Sequence, residues 1–213
     1  MLNKQAVINK SLAGAAIKIA CEGTSLTYGV DVFGTDTTHA PASFGSGGLT
    51  RAIYQYPQTI INDFNNPKIT LSMRGYPGDR TTEGITRWQD STSADVCILE
   101  YGTNDAYNFA YFASGTVPLS TYKTQLELLA KRRINQGAWV IICIPPDLAN
   151  GDTTINAYQK MAAAVAKELD VDAFNVEASI LQVNLPYSDN VHFNSKGYKK
   201  WGDDMMGILN VIK

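Results

Sequence analysis

Apolar residues gather in five short runs along the chain, at residues 15–21, 69–73, 95–101, 139–145 and 171–176. Each run is apolar through most of its length and does not alternate regularly with polar residues. Continuous runs of this length are typical of strands that are covered on both faces, as in a parallel sheet. The pattern therefore predicts five buried β-strands.

The segments between these runs carry apolar residues at every third or fourth position, which is the spacing of one helix face. Three such sets are Leu119, Tyr122, Leu126 and Leu129; Ile155, Tyr158, Ala162, Val165 and Leu169; and Tyr198, Trp201, Met205, Ile208 and Ile212. Pro57 predicts the first turn of another helix, and residues 79–90 predict a further one. Gly137 provides a helix stop signal and Asn194 a helix cap.

Strand and helix thus alternate along the chain, which predicts an α/β fold. Right-handed crossovers place helices on both faces of a parallel sheet, so we expect a three-layer α/β/α sandwich of the flavodoxin-like kind with five parallel strands. A length of 213 residues suits one domain. We expect a single domain over residues 1–213, with residues 1–14 forming either a linker or an N-terminal extension.

Candidate site residues follow the predicted strands at the end where a parallel sheet carries its site. Ser25 follows the first strand, Gly78 the second and Asn104 the third, while Asp189 and His192 come after the fifth strand and a short loop. In open α/β sheets, ligands bind beyond the carboxyl ends of the strands. We therefore expect these five residues to lie on one edge of the sheet.

Composition and charge argue against several classes of partner. A net charge of −2 gives no electrostatic reason to expect a nucleic acid. No apolar run approaches the length of a membrane span, so no membrane partner is expected.

Lys18 interrupts the apolar part of the N-terminal segment, which therefore does not resemble a signal peptide. The location stays open between a cytoplasmic protein and a domain of a larger extracellular or virion protein.

Cysteine and histidine usage gives no indication of a metal site. The three cysteines, Cys21, Cys97 and Cys143, fall in or at the end of different apolar runs, so we interpret them as buried thiols. The chain has only two histidines, His39 and His192, and no pair at metal-ligand spacing. We predict that the protein needs neither a metal nor another cofactor.

Four short blocks carry the candidate chemistry: EGTSLTYG with Ser25, RGYPGDRTT with Gly78, YGTNDA with Asn104, and SDNVHFN with Asp189 and His192. In this order they resemble the SGNH hydrolases, the GDSL-type esterase family. The resemblance spans nearly the whole chain and implies a carboxylic ester hydrolase. It also implies an oxyanion hole formed by the backbone N–H groups of Ser25 and Gly78 and the side-chain amide of Asn104.

The chemistry requires these residue types. A serine hydroxyl is a weak nucleophile until a neighbouring base removes its proton, and histidine is suited to that task near neutral pH. His192 is the candidate base and Asp189, three residues earlier, its orienting partner. The other histidine, His39, lies in a polar stretch with no aspartate three residues before it. Ser25, Asp189 and His192 are therefore predicted to be the catalytic residues.

The chain departs from the family pattern at several positions. Thr24 stands where the family usually has an aspartate, and Met73 stands where the second block often has an asparagine. In the last block, Asn190 and Phe193 replace the usual glycine and proline. None of the serine, glycine, asparagine and histidine residues that define the family is missing. Because Thr24 replaces the aspartate, the sequence does not determine the geometry around the serine.

The substrate is indicated by weaker features. Tyr54, Tyr56, Tyr76 and Tyr101 are candidates for stacking on sugar rings, although several of them fit a core role equally well. The loops at the predicted site edge are polar, so we expect a small acyl group, acetyl, to be removed from a carbohydrate or a small-molecule ester. Such domains resemble carbohydrate esterases that occur alone or within envelope-acting and phage tail proteins. A lipase or acyl-thioesterase, and a non-catalytic sugar-binding module with a decayed site, are the alternatives.

Overall fold

A computed structural model describes residues 2–34, 50–91, 93–107 and 115–212. The strands are β1 (Ile17–Gly23), β2 (Ile69–Gly75), β3 (Val96–Glu100), β4 (Trp139–Ile144) and β5 (Asp172–Asn175). The helices are α1 (Leu2–Leu12), α2 (Ser25–Tyr28), α3 (Tyr56–Phe64), α4 (Thr81–Arg87), α5 (Thr103–Ala106), α6 (Leu119–Asn135), α7 (Asn156–Glu168), α8 (Val176–Ile180) and α9 (Ser195–Leu209). Short 3₁₀ turns span Thr153–Ile155 and Asn210–Ile212.

The strands form one parallel sheet in the order β2-β1-β3-β4-β5. This confirms the predicted five-stranded parallel sheet. Gly23, the last residue of β1, pairs with Gly75 at the end of β2 and with Glu100 at the end of β3. Three neighbouring strands therefore end at the same level, and the chain leaves each of them at one edge of the sheet.

Helices cover both faces of the sheet, as predicted. Alternate residues of β1 point to opposite faces: Cys21 packs in one core cluster with Trp201 of α9, and Ala20 packs in the other with Leu126 of α6. Helices α3 and α9 contact each other on the first side, and α6 and α7 contact each other on the second. The result is the three-layer α/β/α sandwich.

The N-terminal segment forms helix α1, and this structure was missed in the sequence pattern. Val7 of α1 is 3 % exposed and belongs to the core, and Lys4 forms an ion pair with Asp172 at the start of β5. Leu2–Leu12 are therefore helical and packed against the rest of the fold. Helix α1 has no broad apolar face, and Leu12 at its end is exposed, so the helical period was not visible.

Other sequence-based expectations have mixed outcomes. The three cysteines are free and buried, as predicted. The helix predicted within residues 79–90 is the shorter α4, and the four-residue helices α2 and α5 were not predicted. Within the described ranges, no helix combines the length and the apolar character that crossing a membrane requires. His39 lies outside the described residues.

Candidate active site

Ser25 is the first residue of α2 and follows β1 by a single residue. Thr24 caps this short helix, because its side-chain oxygen accepts a hydrogen bond from the backbone N–H of Leu26. The turn from strand to helix needs a glycine at position 23, since a Cβ there would overlap Thr27 and Glu100. This close approach holds Ser25 at the edge of the sheet, where it is 6 % exposed.

His192 and Asp189 reach Ser25 from the loop between α8 and α9. The Nε2 atom of His192 lies 3.0 Å from the Oγ of Ser25, and its Nδ1 lies 2.8 Å from Oδ2 of Asp189. With the proton on Nδ1, His192 donates to Asp189 and accepts from the Ser25 hydroxyl. The structure thus joins the three predicted residues in one hydrogen-bonded chain, Asp189–His192–Ser25.

Asp189 is held in its ionised form by its own loop. Its Oδ1 accepts hydrogen bonds from the backbone N–H groups of Val191 and His192, at 2.7 and 2.6 Å. Partial burial opposes ionisation, but the hydrogen bonds from the side chain and backbone of His192 outweigh it and lower the pKa of Asp189 to about 2. The carboxylate therefore carries a negative charge next to the imidazole at neutral pH.

The loop that carries Asp189 and His192 is anchored in the core by Phe193. Phe193 is fully buried and packs edge-on against Tyr198 and Trp201 of α9. Tyr187, which forms an isolated bridge with Phe193, donates its hydroxyl to the backbone carbonyl of Asp147 at 2.9 Å. The phenylalanine that departs from the family pattern thus fixes the base of the loop.

Gly78 and Asn104 follow the two strands that flank β1. Gly78 has φ of 84°, a left-handed conformation that favours glycine, in the turn after β2. Asn104 lies in α5 after β3, is 2 % exposed, and donates from Nδ2 to the backbone carbonyl of Asp79 at 2.8 Å. The structure therefore ties Asn104 to the turn that holds Gly78, beside the strand end that carries Ser25.

Two buried aspartates hold this turn and were not identified from the sequence. Asp105, next to Asn104, accepts the backbone N–H of Thr81 at 3.0 Å, and burial raises its pKa to about 6. Asp79 accepts two hydrogen bonds from Arg87, at 2.7 and 3.0 Å. Both aspartates stand in the quoted blocks, but nothing in their spacing indicates these partners.

A third carboxyl group, that of Glu100, lies directly under the nucleophile segment. It is fully buried at the end of β3 and accepts hydrogen bonds from the backbone N–H and the hydroxyl of Thr24. Burial raises its pKa to about 7. A lone acidic residue at the end of an otherwise apolar strand was the sequence signal that could have identified it.

The four candidate tyrosines have different surroundings. Tyr56 and Tyr101 are buried core residues, and Tyr56 stacks on Trp201 with ring centroids 4.0 Å apart. Tyr76, close to Gly78, lies under the guanidinium group of Arg87. Tyr54 is exposed. Tyr76 is therefore the member of this set that adjoins the oxyanion-hole candidates.

Val32 and Phe33 form an exposed apolar pair beside the loop that carries His192. The backbone N–H of Val32 is 3.4 Å from the hydroxyl of Ser188, the residue before Asp189. Phe33 follows it and is 79 % exposed. An aromatic side chain is thus displayed near the loop that carries His192, and it was not singled out from the sequence.

The model of the GDSL-like lipase/acylhydrolase family matches residues 21–200. The comparison with curated protein sequences gave no match.

Solved structures of similar fold include three esterases or acylhydrolases. A lipase/acylhydrolase from Enterococcus faecalis has 19 % identity and a TM-score of 0.66, with 92 % of this chain and 93 % of that chain covered. A carbohydrate acetylesterase from Sinorhizobium meliloti has 14 % identity and a TM-score of 0.69, covering 92 % and 100 %. A catalytic mutant of an acetylxylan esterase from Geobacillus stearothermophilus has 17 % identity and a TM-score of 0.69, covering 93 % and 94 %. At these identities the likeness shows the fold.

Proposed function

This chain belongs to the GDSL-like lipase/acylhydrolase family and is a carboxylic ester hydrolase; from that premise we propose that it removes acetyl groups from a carbohydrate through an acyl-enzyme on Ser25. The observation that carries the proposal is the hydrogen-bonded chain Asp189–His192–Ser25 at the carboxyl edge of the sheet. Because all three hydrogen-bonded side chains are present and in contact, the site does not resemble a decayed, non-catalytic one.

In the first half-reaction, Ser25 attacks the ester. His192 Nε2 takes the hydroxyl proton while Oγ bonds to the acyl carbon, and the negative charge develops on the carbonyl oxygen. The tetrahedral intermediate collapses as its bond to the sugar oxygen breaks, and His192 gives the proton to that oxygen. Asp189 stabilises the imidazolium between these two transfers. The products are a free sugar hydroxyl and acetyl-Ser25.

In the second half-reaction, water takes the place of the sugar hydroxyl. His192 removes a proton from the water as its oxygen bonds to the acetyl carbon, and then returns the proton to Oγ of Ser25 as acetate leaves. The same base and the same oxyanion contacts serve both steps, so no metal or other cofactor enters the scheme.

The oxyanion would be stabilised by the backbone N–H groups of Ser25 and Gly78 and by Asn104. The amide of Asn104 has two N–H donors, and one of them is used on the carbonyl of Asp79. The second is then available for the substrate, while the first fixes the orientation of the amide. A pre-oriented donor of this kind typically contributes about 3–4 kcal/mol to transition-state stabilisation.

Acetyl and carbohydrate are the finer parts of the proposal. They are supported by the fold relatives named as a carbohydrate acetylesterase and an acetylxylan esterase. The exposed ring of Phe33 lies beside Val32, which contacts the loop that carries His192, and provides an aromatic surface of the kind that stacks on sugars.

A lipase or acyl-thioesterase on the same residues is the second candidate. The observation that favours it is the exposed apolar pair Val32 and Phe33 near the site, which would also suit a longer acyl chain. The lipase/acylhydrolase from Enterococcus faecalis shares the fold.

Two measurements with one control test the proposal. Acetate release is measured on a panel of acetylated glycans, and turnover is measured on p-nitrophenyl esters of increasing acyl length, with Ser25→Ala as the control. We expect acetate release from at least one glycan, a decline in kcat/KM beyond short acyl chains, and loss of both in the control. Preference for long chains without acetate release would favour the second candidate. Turnover that persists in Ser25→Ala would contradict the proposed nucleophile.

A further inference from the structure

Glu100 makes the contacts that fix the residue before the serine nucleophile. Its Oε2 accepts three hydrogen bonds: from the backbone N–H of Thr24 at 3.0 Å, from the Thr24 hydroxyl at 2.7 Å, and from the Thr27 hydroxyl at 3.1 Å. Thr24 and Thr27 lie on either side of Ser25 in sequence. One carboxyl oxygen from β3 thus holds the cap and the first turn of α2.

Helix α2 depends on such contacts for its position. It has four residues, and a helix this short has no intrinsic stability in water. The hydroxyl of Thr24 donates to Glu100 and accepts from the backbone N–H of Leu26 at 3.2 Å, so it links the strand end to the helix. The backbone N–H and the Oγ of Ser25 follow directly from this fixed residue.

The two oxygens of the Glu100 carboxyl group have different surroundings. Glu100 has no exposed surface. Its Oε1 has no hydrogen-bond partner among the described residues. A buried polar atom without a partner is costly, but an apolar side chain at this position would leave the buried N–H and hydroxyl of Thr24 without their acceptor. The reason for a carboxyl group at position 100 therefore lies in the three hydrogen bonds that Oε2 accepts from Thr24 and Thr27.

We infer that Glu100 is a positioning residue for ester hydrolysis: through Thr24 it fixes the hydroxyl and backbone N–H of Ser25 relative to His192. The inference rests on the proposed function, because it takes Ser25 as the nucleophile. Glu100 touches neither the substrate nor the reacting atoms in this scheme. Its loss should therefore lower the rate of acyl transfer and leave substrate binding nearly unchanged.

Paired substitutions at two positions test this inference. Thr24→Val removes the hydrogen bond from the Thr24 hydroxyl, and Glu100→Leu removes all three hydrogen bonds to the carboxyl. Thr24→Ser and Glu100→Gln keep a hydroxyl donor and an oxygen acceptor. Thr59→Val is the matched control, because the hydroxyl of Thr59 is buried on α3 without a partner among the described residues. The steady-state kcat and KM and the rate of phosphonylation of Ser25 are measured for each folded variant.

We expect Thr24→Val and Glu100→Leu to lower kcat and the phosphonylation rate about 10- to 100-fold, as small misplacements of a reacting group do, with KM within about twofold. Thr24→Ser and Glu100→Gln should recover most of that loss, and Thr59→Val should match the parent enzyme. If Glu100→Leu does not fold, the contrast between Thr24→Val and Thr24→Ser decides.

Two results would overturn the inference while leaving the proposed function in place. One is that Thr24→Val keeps the kcat and the phosphonylation rate of the parent enzyme while Ser25→Ala is inactive. Glu100→Leu, where it folds, would then keep both rates as well. The other is a loss that falls on KM instead of kcat. Activity in Ser25→Ala would instead contradict the proposed function itself.

Discussion

The Nε2 of His192 lies 3.0 Å from the Oγ of Ser25, although 167 positions separate the two residues in the chain. The sheet order produces this contact, because β1 lies inside the sheet between β2 and β3 and the loop after α8 reaches its carboxyl end. Each residue is held independently: Ser25 by the cap of α2, and His192 by a loop that Phe193 anchors in the core. The distance is therefore a property of the fold and is set before any substrate binds.

Ser25 should be the residue that an ester-like phosphonate modifies. The contact with His192 lowers the barrier to removal of its hydroxyl proton, and no other hydroxyl is expected to share this activation. A fluorophosphonate should therefore add one label per chain, which peptide mass spectrometry should locate on Ser25. Labelling at another residue, with Ser25 unmodified, would show that the nucleophile is misassigned.

His192 and Asp189 should be unequal in their effect on kcat. His192→Ala removes the base, and we expect a loss on the order of 10⁶-fold, as for other serine hydrolases. Asp189→Asn places an amide against Nδ1 and favours the wrong imidazole tautomer, with an expected loss of about 10⁴-fold. Steady-state kinetics of the purified variants give both values.

His39 provides the control for these two variants, since it is the other histidine of the chain. His39→Ala should retain the activity of the parent enzyme. A folded His39→Ala protein as inactive as His192→Ala, or an Asp189→Asn protein with unchanged kcat, would disprove the assigned roles.

Asn104→Ala should lower kcat by about 10²- to 10³-fold, the usual effect of removing one oxyanion donor. The substitution also removes the hydrogen bond to the carbonyl of Asp79, so displacement of that turn is an alternative cause. Arg87→Ala separates the two, because Arg87 holds the side chain of Asp79 without supplying an oxyanion donor. We expect a smaller loss of kcat for Arg87→Ala than for Asn104→Ala. Equal losses in the two variants would assign the effect to the turn.

Chelation should leave the activity unchanged. The described residues include no group of three or more histidine, cysteine, aspartate or glutamate side chains that could hold a metal ion. The proposed scheme also assigns proton transfer and charge stabilisation to protein groups. The ester hydrolysis activity is measured before and after exhaustive dialysis against a chelator. An activity that is lost on chelation and restored by zinc would require a different mechanism.

The fold was predictable because five apolar runs and the helical spacing between them reflect burial on both faces of a sheet. The proximity of the candidate site residues was predictable because parallel strands bring their carboxyl ends together, so blocks distant in sequence become neighbours. Helix α1 was not predictable in this way, since it buries Val7 with little periodic support from its neighbours.

Thr24 shows where the sequence pattern stops being informative. It replaces the aspartate that the first block usually carries, and the pattern alone gives no compensation for the change. The structure provides a carboxyl partner from the neighbouring strand, Glu100, which pairs with Gly23 and contacts Thr24. Contacts between side chains at adjacent strand ends depend on the register in which the two strands pair. The sequence of either strand alone does not determine that register.

Glu100 should make the stability of the protein fall as the pH rises through neutrality. Burial raises its pKa from 4.5 to about 7, so the folded protein binds this proton more tightly than the unfolded chain does. The contribution is fully present below the unfolded-state pKa of 4.5 and is lost as the pH rises through about 7. At 1.4 kcal/mol per pH unit, this shift corresponds to roughly 3 kcal/mol.

Glu100→Gln isolates this effect, because glutamine has nearly the same shape and does not titrate. Urea unfolding of the parent and of this variant is compared at about pH 5 and about pH 8, where other groups, such as Asp105 with its pKa raised to about 6, affect both proteins alike. The parent should lose more stability than the variant over this interval. If the free energy of unfolding changes equally with pH in the two proteins, Glu100 does not titrate in this pH interval. Its carboxyl group would then keep one charge state across neutrality.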